Sequence, residues 1–296
     1  MISNNPLTLV HPTTGKTAFK IQAIENDLYD GIQRLSHYSL IWITDGSGVV
    51  NADFNEYHFQ ENTLLSFSPH QPFLLKPNDT IKGVVINFHP DFFCIFKHQK
   101  EVACDGVLFN NIYDPPLLKL DKATSNKFEL LTQQMREEMQ NPELAQYELL
   151  ISYLKIFLIT ASRLKNSVDT EVQKVQESVD ENNEPFILQK LKDYINIHYK
   201  TKHTASEYAE MLTISTKSLG KLTKDYFDKT LTDLISERII IEAKRELYLT
   251  NKSVKEIAFE LGYEDPYYFS RFFKKNAQVS PQVYRETVGF GRAVAS

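Results

Sequence analysis

The sequence predicts an α+β chain of two domains. The N-terminal domain is β-rich, a small barrel or sandwich with a helix pair, and the C-terminal domain is all-α. Three observations lead there. Short apolar runs separated by turn residues fill residues 17–90. The apolar spacing becomes helical after residue 122. Residues 204–224 and 253–274 then repeat one another, with helix-capping residues at matching places.

A length of 296 residues suits two domains of ordinary size. With 42% apolar and 24% charged residues, the chain has a globular composition. Two cysteines, Cys94 and Cys104, are too few for a disulfide framework or a Cys-rich zinc site, and suit a reducing, cytoplasmic setting. No apolar run approaches the ~18 residues of a membrane helix. The start, Met1-Ile2-Ser3-Asn4-Asn5-Pro6, lacks the basic and apolar segments of a secretory signal. The net charge of −5 is unevenly spread: residues 185–296 hold 18 Lys/Arg against 14 Asp/Glu, and the remainder holds 15 against 24. An acidic first part joined to a mildly basic second part points to a polyanion on the basic side.

Each element follows from local signals. Leu40-Ile41-Trp42-Ile43 precedes the turn residues Asp45-Gly46-Ser47-Gly48, and Val49-Val50 runs to a polar turn near Asp53 and Asn55. Tyr57-His58-Phe59, Leu64 to Phe67, Phe73-Leu74-Leu75 and Val84 to Phe88 follow, each bounded by Pro, Asn, Asp or Ser. Strands at ~8–12-residue spacing fit a barrel or sandwich. Phe128, Leu131, Met135 and Met139 then lie on one face of a helix, which Asn141-Pro142 breaks. A second helix to about Lys165 carries Leu150, Ile151, Leu154, Phe157 and Leu158, apolar enough to need a partner surface, either the β-domain or a second subunit. Residues 166–184 are polar and acidic and read as a linker between domains 1–165 and 185–296.

The repeat carries the function. Thr204, Glu207, Ala209 and Leu212 match Ser253, Glu256, Ala258 and Leu261 at an offset of 49. Ser215, Leu219, Lys221 and Lys224 match Asp265, Phe269, Arg271 and Lys274 at an offset of 50. Thr204-x-x-Glu207 and Ser253-x-x-Glu256 have the form of capping boxes. Ser215 and Asp265 are second caps, with Pro266 at the first helical position. Gly262 falls where the helix before it must end. Helix, short turn and helix, twice over, is a duplicated helix-turn-helix. Lys217, Ser218, Lys221 and Lys224 face away from the apolar side of the first reading helix. Tyr267, Tyr268, Ser270, Arg271 and Lys274 do so in the second. Arg and Lys pair with guanine edges, and Tyr meets thymine methyls or phosphates, so these nine residues are the candidate DNA contacts. Between the copies, a helix opened by Thr230-x-x-Asp233 spans ~28 Å, close to the ~34 Å between major grooves on one side of B-DNA. Arg238, Lys244 and Arg245 on this helix are candidates for phosphate contacts or simple surface charges.

Residues Ser253 to Ala258, Leu261-Gly262-Tyr263, Asp265 to Lys275, Ser280-Pro281 and Tyr284-Arg285 together resemble the signature of AraC/XylS-type transcription regulators. The resemblance covers about 185–288. It implies a cupin-like N-terminal β-barrel that senses a small-molecule effector, a helix pair that forms a homodimer, promoter DNA as partner, and activation through RNA polymerase. The first copy departs from the pattern. Thr223 replaces a frequent aromatic residue, Asp228 replaces a Gly, and Gly220 lies inside the reading helix, where it costs about 1 kcal/mol.

His37, Tyr38, Trp42 and Tyr57 are candidates to line an effector site; a purely structural core explains Trp42 at least as well. No His-x-His metal pair, nucleophile elbow or phosphate-cradling glycine loop occurs, so neither catalysis, a metal nor another cofactor is expected. The alternatives are a ligand-independent dimeric regulator and a metal-dependent cupin enzyme fused to a DNA-binding module.

Overall fold

The computed structural model describes residues 5–11, 15–24, 31–52, 55–98, 102, 107–109, 115–176 and 184–288. Residues 1–4, Asp53, Cys104 and 177–183 of the expected linker lie outside them. The chain divides into two compact units, the first built on the strands and Pro115–Val168, the second on Asp169–Glu286.

The first unit holds β1 (Leu7–Val10), β2 (Thr17–Ala23), β3 (Tyr38–Asp45), β4 (Gly48–Ala52), β5 (Asn55–Phe59), β6 (Thr63–Phe67), β7 (Phe73–Pro77), β8 (Lys82–Phe88) and β9 (Leu117–Lys119). Helices α1 (Lys122–Gln140) and α2 (Gln146–Gln176) follow. The apolar runs of the sequence are strands, but they do not close a barrel. One sheet has the order β1-β2-β8-β3-β6-β9, and a separate sheet has the order β5-β4-β7. Both are open, with β1 and β9 as the edges of the larger one. The expected cupin-like barrel is therefore corrected to an open, two-layered β arrangement backed by helices.

The physical reason lies in β3, where every residue from Tyr38 to Ile43 is buried. Successive side chains in a strand point to opposite faces, so such a strand needs cover on both. Tyr38, Leu40 and Trp42 share one apolar cluster with Phe128, Leu154 and Phe157 of α1 and α2. Ile41 and Ile43 share the other with Val50, Phe59 and Phe73 of the smaller sheet. A barrel wall open to solvent would need only its inner face apolar. The helix pair thus finds its partner surface on the larger sheet, with Phe128 stacked on Phe157 at 3.7 Å between ring centres. Helix α2 also runs on to Gln176, through the first part of the stretch read as a linker. Val168, Val172 and Val175 keep a helical spacing there and no Gly or Pro interrupts it.

The second unit holds α3 (Glu184–His198), α4 (Ala205–Met211), α5 (Thr216–Phe227), α6 (Leu231–Leu249), α7 (Val254–Glu260), α8 (Pro266–Ala277) and α9 (Pro281–Val288). Helix α4 packs on α5 and α7 on α8, while α3, α5, α7 and α8 all meet α6. Thr204, Thr230 and Ser253 each close a capping box, Ser215 caps α5 and Asp265 caps α8. The two tight turns are made alike. Thr213, φ 58°, and Gly262, φ 85°, occupy equivalent places. The next N–H, of Ile214 or Tyr263, donates to the carbonyl of Ala209 or Ala258 at 3.0 Å. A β-branched residue is strained at positive φ, whereas Gly is not. At Gly262 a Cβ would stand 2.0 Å from the Lys200 carbonyl oxygen.

Two outcomes follow for stability. Thr213→Gly stabilises the second unit by about 1 kcal/mol, while Gly262→Ala destabilises it by roughly 2 kcal/mol or more; urea midpoints of the two variants, displaced in opposite directions, check this. Glu207 is held below the usual carboxylate range by the Thr204 hydroxyl and N–H, and Glu256 by the Ser253 N–H and hydroxyl. A depressed folded pKa gives stability that is present at neutral pH and lost as the pH falls through the carboxylate range. The double variant Glu207→Gln/Glu256→Gln therefore loses part of the acid sensitivity of the urea midpoint between about pH 6 and 3.

Candidate nucleic-acid interface

Helices α5 and α8 present their apolar sides inward and their cations outward. Leu219, Leu222 and Thr223 are buried on α5, and Phe269, Phe273 and Ala277 on α8. The opposite sides are exposed at Lys217, Ser218, Lys221 and Lys224, and at Tyr267, Tyr268, Arg271 and Lys274. Tyr267 is 79% and Tyr268 57% exposed, and the Tyr268 ring lies 6.0 Å from that of Tyr263. Ser270 is half-buried, its hydroxyl donating to the Pro266 carbonyl at 2.8 Å. Ser218 is also engaged with its own helix, since its N–H donates to the Ser215 hydroxyl at 3.0 Å and the two hydroxyls lie 2.8 Å apart.

Charge pairing separates scaffold from surface. Glu242 binds Arg238 at 3.3 Å and Arg245 at 2.7 Å, and Arg238 also stacks over Tyr199 at 4.3 Å. Lys252 bridges Glu246 and Glu260, and Lys229 pairs with Glu237. Lys244 is buried, its ammonium 5.8 Å from the Tyr284 ring. Arg238, Arg245 and Lys244 thus belong to the packing around α6 rather than to a row of open phosphate contacts. By contrast, among the described residues Lys217, Lys221, Arg271 and Lys274 enter no ion pair with the chain's own acids. Lys224 differs, pairing with Asp228 at the left-handed end of α5. That aspartate, φ 51°, and Gln278, φ 63°, end the two reading helices in the same way.

A feature the sequence reading passed over is the role of Arg285. Its guanidinium donates to the Leu247 carbonyl at 3.2 Å and the Lys252 carbonyl at 2.5 Å. It ties α9 to the end of α6 and the loop that enters α7, and so helps set the base of the second reading unit. Its signal in the sequence was only its place in the Ser280-to-Arg285 ending.

The four effector candidates are not gathered in one place. Tyr38 stacks on Phe88 at 5.1 Å and Trp42 meets Phe128 edge-on at 5.9 Å, both within the cluster beneath the helices. Tyr57 packs against the cluster between the two sheets. His37 is half-buried, one ring nitrogen 3.1 Å from the Thr17 carbonyl, and burial holds its pKa below the usual histidine value. No group of three or more His, Cys, Asp or Glu able to hold a metal ion occurs among the described residues. No helix among them is long and apolar enough to cross a membrane.

Residues 208–287 match the family described as "Helix-turn-helix domain". The chain is 27% identical over 254 residues to the HTH-type transcriptional activator Btr of Bacillus subtilis, an alignment covering 83% of this chain and 44% of Btr. It is 21% identical over 252 residues to the HTH-type transcriptional activator RhaS of Yersinia pestis, covering 84% of this chain and 86% of that one. Among solved structures it is similar to the C-terminal domain of AraT, a response regulator from Geobacillus stearothermophilus. The identity is 30%, the coverage 36% of this chain and 88% of that one, and the TM-score 0.35. The chain spans less than half the length of Btr. These relatives are regulators by name, and the C-terminal part of this chain carries a helix-turn-helix domain with two copies of the motif.

Proposed function

We propose that the chain is a cytoplasmic, sequence-specific DNA-binding transcription regulator of the AraC/XylS type that acts as an activator in contact with RNA polymerase. The observation that carries this reading is the pair of helices α5 and α8, both packed on α6 and each showing cations with no ion pair among the described residues. Promoter DNA is the partner. Arg271 reads a guanine edge, and Tyr267 and Tyr268 meet thymine methyls or sugar-phosphate. Lys217, Lys221 and Lys274 neutralise phosphates. Lys224 reaches the backbone only by leaving Asp228, and Ser218 and Ser270 shape their helices while lying at the groove. The names of Btr and RhaS, both transcriptional activators, support the activator role.

Effector sensing is the finer part of the proposal. Tyr38 and Trp42 are packed into the core and Tyr57 stands in another cluster. That placement favours a second reading, in which the N-terminal unit serves assembly and regulation needs no small molecule at these four residues. A homodimer would use the outer side of α1 and α2, where Leu130, Leu149 and Ile156 remain exposed.

On a specific duplex, Arg271→Ala weakens binding by about 1–3 kcal/mol and leaves random-sequence binding little changed. Lys217→Ala weakens both alike and lowers the salt slope by about one. Titrations of the full chain at two salt concentrations check the pair, and unchanged affinity in both variants would contradict the assigned roles.

A further inference from the structure

Gly220 is the fifth of twelve residues in α5, and nothing among the described residues asks for a glycine there. Among the described residues the glycines with positive φ are Gly15, Gly31, Gly46 and Gly262, not Gly220. A Cβ built at Gly220 meets nothing within 4 Å, whereas at Gly46, Gly48, Gly83 and Gly262 it would collide with backbone or side-chain atoms. Glycine in a helix interior is destabilising relative to alanine, because it has more backbone freedom to lose. The first reading helix therefore carries a penalty with no return in conformation or packing.

Its surroundings show where the return lies. Gly220 is exposed, three residues after Lys217 and four before Lys224, spacings that share a helix face, with Lys221 next to it in the chain. The offset of 50 that relates the two reading helices places Ser270 opposite it in the second copy. There the side chain is again small and folds its hydroxyl back onto the Pro266 carbonyl. Both helices thus keep a low profile at one matched point among long cationic side chains.

We propose that Gly220 is a point of closest approach for DNA. The missing side chain lets the sugar-phosphate backbone at the groove edge settle against the main chain of α5, within reach of Lys217 and Lys221. A side chain at this position holds the helix away from the groove and lengthens both lysine contacts. The inference rests on the DNA-reading function proposed above.

The test uses the full chain and a duplex that the wild type selects from a random pool. Gly220→Ala and Gly220→Gln raise the melting temperature of the free protein, by about 2–4 °C for alanine. Both bind the selected duplex more weakly, by about fivefold or more, with Gln the worse. A lower melting temperature would show that the glycine serves the fold, and wild-type affinity in two stabilised variants would show that DNA does not approach there. Either result overturns the inference while leaving DNA reading intact. A wild type that selects no duplex overturns the reading and the inference together.

Discussion

The separation of α5 and α8 is set by α6, on which both pack, and the rest of the C-terminal structure depends on that one rod. Nineteen residues, opened by the Thr230–Asp233 capping box, run without a break. Leu231, Leu234, Ile239, Ala243 and Leu247 are buried along its length, against neighbours that include both helix-turn-helix units. A helix buried on more than one side cannot bend without opening cavities, each of which is destabilising. Arg285 anchors its far end by two main-chain carbonyls. In the proposed function, two readers held at a set distance act as one stronger reader, because the second engagement is intramolecular.

Charge is sorted by the same construction. The chain as a whole is negative, at −5, which by itself would repel DNA. Within the second unit, however, Glu207, Asp233 and Glu256 serve as caps, and Glu242 and Glu246 are paired with Arg238, Arg245 and Lys252. These acids are engaged on the framework, while Lys217, Lys221, Arg271 and Lys274 face solvent without an ion pair among the described residues; Asp225 of α5 and Glu264 before α8 also stay exposed. A local excess of cations on the outward faces of α5 and α8, rather than net charge, is what would steer a polyanion.

Much of the second unit was legible in the sequence because capping is local chemistry. Thr204-x-x-Glu207, Ser253-x-x-Glu256, Ser215 and Asp265 announce helix starts within four residues, and each is found where its spacing puts it. Thr213 was not legible as the twin of Gly262, since nothing local marks a threonine for positive φ; only the register of the repeat does. The N-terminal unit was misread as a barrel, although Leu40-Ile41-Trp42-Ile43 held the clue. An unbroken apolar run signals a strand covered on both faces, while a barrel wall alternates. The same burial draws Tyr38 and Trp42 into the core, which their residue types alone did not reveal.

The spacing of DNA contacts tests the central claim most directly. A hydroxyl-radical footprint of the full chain on its selected duplex should show two protected blocks on one face, about 10 base pairs apart, one for each reading helix. A single block no longer than one groove, unchanged when Arg271 or Lys221 is replaced, would contradict the account of two readers set apart by α6.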